Sequence, residues 1–377
     1  MKVIFTCGGT AGHVNPALAL AGLLRERRPD SEILFVGANR GLERQLIEKA
    51  GWPFRAVEIS SFHRSFKPKE IRHNLISLRN FVCSPAQARA LLREFPADLV
   101  VGTGGYASYP MIRAASGMGI PTAVHESNAI PGLTTRLLEP HADLIMVGFE
   151  ECRKNYKHPE KVLVTGTPVR GDFFRLSRRE AKERLGMDDG RPLIVSFWGS
   201  LGAASMNRQM ADFFALEAKT QPFHHVHGAG VVGCRQMNGY LAEAGVALER
   251  CPALEVREYI HDMGTLMRAA DLVICRAGAS TISELTALGI PAIIVPSPNV
   301  ANNHQEHNAR VLAEAGGAVM LLEKDSSSGK LYETAREILQ DPERCRKMSS
   351  AMAALGTVDA TERIYAAVMA LRKPEGK

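Results

Sequence analysis

The sequence predicts an α/β protein of two doubly wound domains, and three patterns carry that reading. Short apolar runs bounded by glycine or proline alternate with helical stretches from end to end, as strands buried on both faces of a parallel sheet do. The two halves echo one another. ADLVV at Ala97–Val101 leads through glycines and a helical stretch to GIPTAVHE, and ADLVI at Ala270–Ile274 leads through RAG and a helical stretch to GIPAIIVP. Glycine turns also follow strand-like runs at Gly8–Gly12, Gly102–Gly105 and Gly199–Gly202, where doubly wound sheets receive ligands.

In chain order, the expected strands of the first half are KVIFT, EILFVG, ADLVVG, PTAVHE and DLIMVG. Those of the second are PLIVSFW, LEVREYI, ADLVICR and PAIIVP. PALALAGLLRERR, after the first strand, carries helical spacing. Glycine and proline cluster in TGTPVRGDF at 165–173, which marks the expected linker. The final stretch, TERIYAAVMALR, sets Ile364, Val368 and Leu371 at helical spacing. It therefore needs a surface to pack on, and the first domain is the expected one. The expected domains are 1–165, joined by the helix at 358–372, and 166–357.

Composition narrows the class. The chain has 377 residues, 45% apolar and 23% charged, which excludes disorder, collagen and coiled coil. No apolar run approaches the roughly 18 residues of a spanning helix. MKVIFTCGGT breaks at glycines, so it reads as a first strand rather than a signal peptide, and the cytosol is the expected compartment. Seven dispersed cysteines without a CxxC pair suggest free thiols, with no zinc site. The net charge is +6. Seven basic residues between Ser61 and Arg93 face one acid, Glu70. That cluster implies an anionic partner: phosphate, nucleic acid or lipid headgroup. No RNA- or DNA-binding motif accompanies it, so nucleic acid is not expected.

Chemistry gathers at the glycine turns. Gly8-Gly9-Thr10-Ala11-Gly12-His13 passes from strand to helix, offering free N–H groups and a positive dipole end to phosphate. It is not GxGxxG, and no ribose-binding acid follows the second strand, so a nicotinamide cofactor is disfavoured. His13, at the mouth of that helix, can take a proton from an incoming hydroxyl. Arg276-Ala-Gly-Ala-Ser-Thr-Ile-Ser-Glu284 opens a helix with small residues suited to a diphosphate, and Glu284 can accept two hydrogen bonds from a ribose diol. Gln305 and Asn308 offer amides to sugar hydroxyls. His304 with His307, and His224, His225 and His227, lack the spacing and further ligands of a metal site. No metal or cofactor is expected.

GGTAGHVNPALALA, GTGGYASYP, HESNAIPGLTTR, TGTPVR and RAGASTISELTALGIPAIIVP…NNHQEHNA stand in this order. Together they resemble the MurG family, the UDP-N-acetylglucosamine:lipid I N-acetylglucosaminyltransferases of peptidoglycan synthesis. The resemblance runs from Lys2 to about Leu371. It implies a GT-B fold, two Rossmann-like doubly wound domains facing a central cleft. The first domain would bind the acceptor and face the membrane, and the second would bind UDP-N-acetylglucosamine. Residue by residue, it implies that Thr10, Ala11 and Gly12 face the donor diphosphate and sugar. Asn128 would contact the N-acetylglucosamine, and Arg170 and Ser200 the phosphate and ribose. Ile260 would hold uracil through its backbone. Ala279, Ser280, Thr281, Ile282, Ser283 and Glu284 would bind diphosphate and ribose, and Gln305 the sugar. The sequence departs from the family pattern at Ala11, Trp198 and Leu201; leucine cannot donate the side-chain hydrogen bond that an amide would.

The implied reaction is inverting transfer of N-acetylglucosamine to the C4 hydroxyl of the muramoyl sugar of lipid I. His13 is the candidate base, with Glu126 and His125 as alternates. The lipid acceptor implies peripheral attachment to the cytoplasmic face of the membrane, on an anionic surface. Ile71, Leu75, Leu78 and Val82 recur at helical spacing, and Phe62, Phe66 and Phe81 with Arg64, Lys67, Lys69, Arg72 and Arg79 complete the expected docking segment. Packing of that stripe on the sheet is the competing expectation.

Overall fold

The computed structural model describes residues 1–39, 42–60, 67–199 and 202–371. The chain forms two compact units, Met1–Val169 with Thr357–Lys377, and Arg170–Gly356.

Seven parallel strands build the first unit: β1 (Lys2–Thr6), β2 (Glu32–Ala38), β3 (Phe54–Val57), β4 (Leu99–Gly102), β5 (Thr122–Glu126), β6 (Leu144–Val147) and β7 (Val162–Val164). Their order is β3-β2-β1-β4-β5-β6-β7, with Val3 level with both Ile33 and Leu99. Alternate side chains feed two cores. Val3, Phe5 and Val101 pack with Val14, Ala17 and Ala21 of the helix Ala11–Arg27, and with Ile364 and Val368 of the helix Ala360–Ala370. Ile4, Val100 and Val124 pack on the other face with Ala88, Leu92 and Met111. Burial on both faces is why these strands read as unbroken apolar runs.

The second unit holds β8 (Leu193–Phe197), β9 (His224–Gly228), β10 (Leu254–Arg257), β11 (Leu272–Cys275), β12 (Ala292–Ile294) and β13 (Ala318–Met320). They are again all parallel, in the order β10-β9-β8-β11-β12-β13. Each sheet changes direction beside its first strand, between β1 and β4 and between β8 and β11. Loops leaving the carboxyl ends of those strands are where doubly wound sheets bind ligands.

Four strands went unanticipated, and each has a physical reason. β7 and β13 span three residues at sheet edges, too short for a period to show. β3 is an edge strand whose central Arg55 and Ala56 are exposed. β9 is HHVHG, whose three histidines hide a fully buried strand.

The helix Pro68–Glu94 opens with proline in its first turn and carries Pro85 inside. Ala88 and Leu92 are buried, whereas Ile71, Leu75, Leu78 and Val82 are 47%, 64%, 52% and 69% exposed. The amino-terminal stripe is therefore solvent-facing, and packing on the sheet is excluded for it. Phe81 departs from expectation: it is half-buried and stacks on Tyr109 at 4.2 Å between centroids, so it is a packing residue. Phe62, Arg64 and Phe66 lie outside the described residues.

Candidate functional site

In the first unit, the loops after β1 and β4 are laced together. The Thr6 carbonyl accepts from the Thr103 N–H and the Ser108 hydroxyl, while Thr6 Oγ1 donates to the Ala107 carbonyl. A Cβ on Gly105, whose φ is +78°, would run into the Gly8 carbonyl, so only glycine lets the loops approach so closely. Buried Glu43 accepts from the N–H groups of Gly9 at 3.2 Å and Ala38 at 3.0 Å, fixing the turn from beneath. Nothing local in the sequence points to Glu43, because its partners lie 34 and 5 residues away.

Thr10 caps the helix Ala11–Arg27 without a side-chain hydrogen bond, so the N–H groups of Ala11 and Gly12 face outward from the turn. His13 is half-buried on this first turn; its N–H donates to the Thr10 carbonyl. Its own carbonyl accepts from Thr103 Oγ1 at 2.6 Å. Its ring lies over Gly104, where a Cβ would fall 2.6 Å from Nδ1. The loop after β4 thus fixes the imidazole.

The two alternate bases occupy different positions. His125 is buried, with Nε2 2.9 Å from the Gly166 carbonyl and Nδ1 3.4 Å from Ser127 Oγ. Burial pulls its pKa down, and the His13 charge lowers it further. Glu126 accepts four hydrogen bonds: from the N–H and the amide of Asn128, the Gly132 N–H and Thr135 Oγ1. A carboxylate so engaged holds the loop after β5 and orients Asn128; it has no oxygen left for a substrate proton. Geometry favours His13 among the three.

In the second unit, the helix Ala279–Leu288 leaves the switch-point strand β11. Gly278 caps it without a side-chain bond, so the N–H groups of Ala279, Ser280 and Thr281 are open to an anion. Ser280 Oγ is buried and has no hydrogen-bond partner among the described residues. Ile282 and Ser283 turn into the core, and Ser283 Oγ donates to the Ala279 carbonyl. Those two side chains therefore support the turn rather than face a ligand.

Glu284 is half-buried and makes no hydrogen bond among the described residues. Burial pushes its carboxyl up to about 7, with Arg170 pulling it down and Asp172 pushing it up. Arg170 is 3.4 Å from Asp172 and lies over the Phe173 ring. Gln305 uses Oε1 to accept from the Ser297 N–H at 2.9 Å, leaving its NH2 for a ligand. Asn308 is a correction: it is fully buried and donates to the Ala277 carbonyl, so it braces the loop after β11 instead of meeting a sugar.

Ile260 is 5% exposed and makes no backbone hydrogen bond among the described residues. Trp198 is buried with its Nε1 unpartnered among them, under the Arg276 guanidinium. Arg276 in turn bonds the Val295 carbonyl and Glu323. Ser200 and Leu201 lie outside the described residues, as does the Ala11 side chain. Among the described residues no group of three or more potential metal ligands occurs.

Comparison with known proteins finds relatives along nearly the whole chain. Residues 3–147 match the glycosyltransferase family 28 N-terminal domain, and residues 193–364 match the family 28 C-terminal domain. A relative from Acetivibrio thermocellus is 40% identical over 99% of both chains. It is named UDP-N-acetylglucosamine--N-acetylmuramyl-(pentapeptide) pyrophosphoryl-undecaprenol N-acetylglucosamine transferase. The crystal structure of MurG from Acinetobacter baumannii superposes with a TM-score of 0.76 at 25% identity, covering 98% of this chain and 99% of that one. A UDP-GlcNAc 2-epimerase from Neisseria meningitidis covers 98% of this chain and 100% of its own at a TM-score of 0.64 and 15% identity, a likeness of fold alone. The order of both family domains and the identity sustained along the chain lead to one conclusion: this chain has the two Rossmann-like units of the GT-B fold and belongs to glycosyltransferase family 28, among the UDP-N-acetylglucosamine--N-acetylmuramyl-(pentapeptide) pyrophosphoryl-undecaprenol N-acetylglucosamine transferases.

Proposed function

We propose that this chain transfers N-acetylglucosamine from UDP-N-acetylglucosamine to the C4 hydroxyl of the muramoyl sugar of lipid I, forming lipid II with inversion at C1. The observation that carries the reading is the amino end of the helix Ala279–Leu288. Three open N–H groups stand ahead of a carboxyl that has no hydrogen-bond partner among the described residues. The N–H groups suit a diphosphate, and Glu284 suits the two ribose hydroxyls. Ile260 offers its backbone to uracil, and the Gln305 NH2 meets the sugar.

The C4 hydroxyl attacks C1 as its proton passes to the His13 imidazole, and the C1–O bond to UDP breaks. Negative charge grows on the departing diphosphate in an oxocarbenium-like transition state. The helix N–H groups and Arg170 stabilise that charge. The lipid acceptor requires the enzyme to reach a bilayer. No helix among the described residues is long and apolar enough to cross one. The exposed stripe Ile71–Leu75–Leu78–Val82, flanked by Lys67, Lys69, Arg72 and Arg79, is the element that docks on anionic lipid at the cytoplasmic face.

The test is incubation of the purified chain with UDP-N-acetylglucosamine and a lipid I analogue. Release of UDP with formation of a β-1,4 disaccharide is the expected result. An epimerised nucleotide sugar formed without acceptor, or UDP-sugar binding without turnover, would each overturn the assignment.

A further inference from the structure

Inside the second unit a line of polar side chains runs through an apolar core to the carboxyl edge of the sheet. Glu217 and His225 are both fully buried, with Glu217 Oε2 2.8 Å from His225 Nδ1. His225 Nε2 is 2.8 Å from Ser196 Oγ, and that hydroxyl is 2.8 Å from His227 Nδ1. His227 Nε2 is 3.2 Å from Asn207 Oδ1, and Asn207 Nδ2 donates to the Ala229 carbonyl at 2.9 Å. Phe213 and Phe214 stand edge-on against the His225 ring.

The order of protons along this line follows from its ends. Asn207 spends its NH2 on the Ala229 carbonyl, so its oxygen accepts and His227 carries its proton on Nε2. Burial holds His227 down at about 3, so the ring is neutral and Nδ1 accepts. The single Ser196 hydrogen goes there, and Ser196 Oγ accepts from His225 Nε2–H. One proton remains for the His225–Glu217 contact, which keeps that pair net neutral on whichever partner it sits.

The far end of the line is the end of β9, and two parts of the proposed donor site rest on it. A Cβ on Gly202 or Gly233 would run into the Ala229 carbonyl, so both loops pack directly on the group that Asn207 holds. Gly228 packs against Ile260, where a Cβ would fall 3.0 Å from Cδ1. The Ala229 N–H donates to the Arg257 carbonyl, tying in the strand that leads to Ile260. An apolar core of equal volume would serve stability as well or better; the polar line supplies a fixed direction.

We propose that Ser196, His225 and Glu217 are positioning residues for the donor, acting through His227 and Asn207 to hold the end of β9 against which Gly202 and Ile260 pack. The proposal rests on the glycosyltransferase reading and extends it to side chains that touch no substrate. Ser196→Ala breaks the line at its centre. Glu217→Gln preserves its direction, because an amide N–H can donate to His225 Nδ1 and leave the proton on Nε2.

Steady-state transfer by the full chain, with UDP-N-acetylglucosamine varied at saturating lipid I analogue, reads the effect. Loss of both Ser196 hydrogen bonds, felt at the donor only through the end of β9, predicts that Ser196→Ala raises the donor KM about tenfold with kcat within about threefold, while Glu217→Gln stays within about twofold of wild type in both. Histidine 15N spectra of the wild type should show His227 neutral with its proton on Nε2; the resonance of its bare Nδ1, which accepts from Ser196, should keep its shift in Glu217→Gln and move in Ser196→Ala. Amide exchange at Ala229 and Cys234 should quicken in Ser196→Ala alone. A wild-type His227 protonated on Nδ1, a Ser196→Ala enzyme with unchanged donor KM, or equal loss in both variants overturns the proposal. Absence of transfer by the wild type would instead overturn the glycosyltransferase reading, and the spectra and exchange would still decide the line.

Discussion

His13 is held by what surrounds it. Its carbonyl is gripped by Thr103, and its ring is pressed against Gly104, where φ is +100°. As the proposed base, an imidazole fixed this way would need no reorganisation when a hydroxyl arrives. His13→Ala should fold and bind UDP normally yet lose turnover by about two to four orders of magnitude. Single-turnover transfer checks it, and near-normal turnover would remove His13 from the base role. Glu284 carries a measurable cost. An acid raised to about 7 from an ordinary 4.5 binds more proton folded than unfolded between those values. Its penalty is absent below about 4.5, grows as pH rises, and is complete above about 7. Glu284→Gln should therefore stabilise the free protein at pH 8 by about 2 kcal/mol and far less at pH 5. The same change should weaken UDP binding by about 2 kcal/mol, through loss of the charge-assisted ribose contact. Thermal midpoints at the two pH values and a UDP titration separate these effects; UDP affinity within a factor of two of wild type would sink the ribose assignment.

The helix Pro68–Glu94 divides along its length. Its carboxyl-terminal part is anchored by Ala88 and Leu92, and its amino-terminal part presents Leu75, Leu78 and Val82 to solvent. Exposed apolar side chains beside a run of cations suit a lipid surface better than water. Leu75→Ser with Val82→Ser should leave the thermal midpoint unchanged, since neither side chain is packed, and should reduce binding to anionic vesicles. Glutamine at Lys67, Lys69, Arg72 and Arg79 should weaken vesicle binding by about 1 kcal/mol per charge at low salt and less at high salt. Co-sedimentation reads both sets. Variants that bind vesicles as wild type does would remove this helix as the anchor, with UDP affinity as the control for folding.

At the scale of the whole molecule, the chain passes from the first unit to the second after Val169 and returns after Gly356. The returning segment completes the first unit. Ile364 and Val368 enter the same core as Val14 and Ala17, and Arg27 pairs with Glu362 at 2.7 Å. Ile364→Ala should destabilise the first unit by about 2–4 kcal/mol by opening a cavity there, leaving the second unit unaffected. Hydrogen exchange resolved by strand tests this. Faster exchange confined to β1–β7 is expected, and equal change in β8–β13 would contradict the assignment of the helix Ala360–Ala370 to the first core.

The sequence by itself determined the α/β class, nine of the strands and the turns at Gly8, Gly102 and Arg276. Continuous apolar runs and glycines at strand ends are local consequences of burial on both faces and of close loop approach, so they are legible residue by residue. Only the tertiary structure decided which polar residues support those turns. Glu43 reaches Gly9 from another element, and the line from Glu217 to Asn207 joins two strands and a helix. It also turned Glu126, an alternate base, and Asn308, a sugar-binding candidate, into braces, because their hydrogen bonds are spent inside the protein. Hydrogen-bond capacity is a property of what surrounds a side chain, and those surroundings are assembled from segments far apart in the chain.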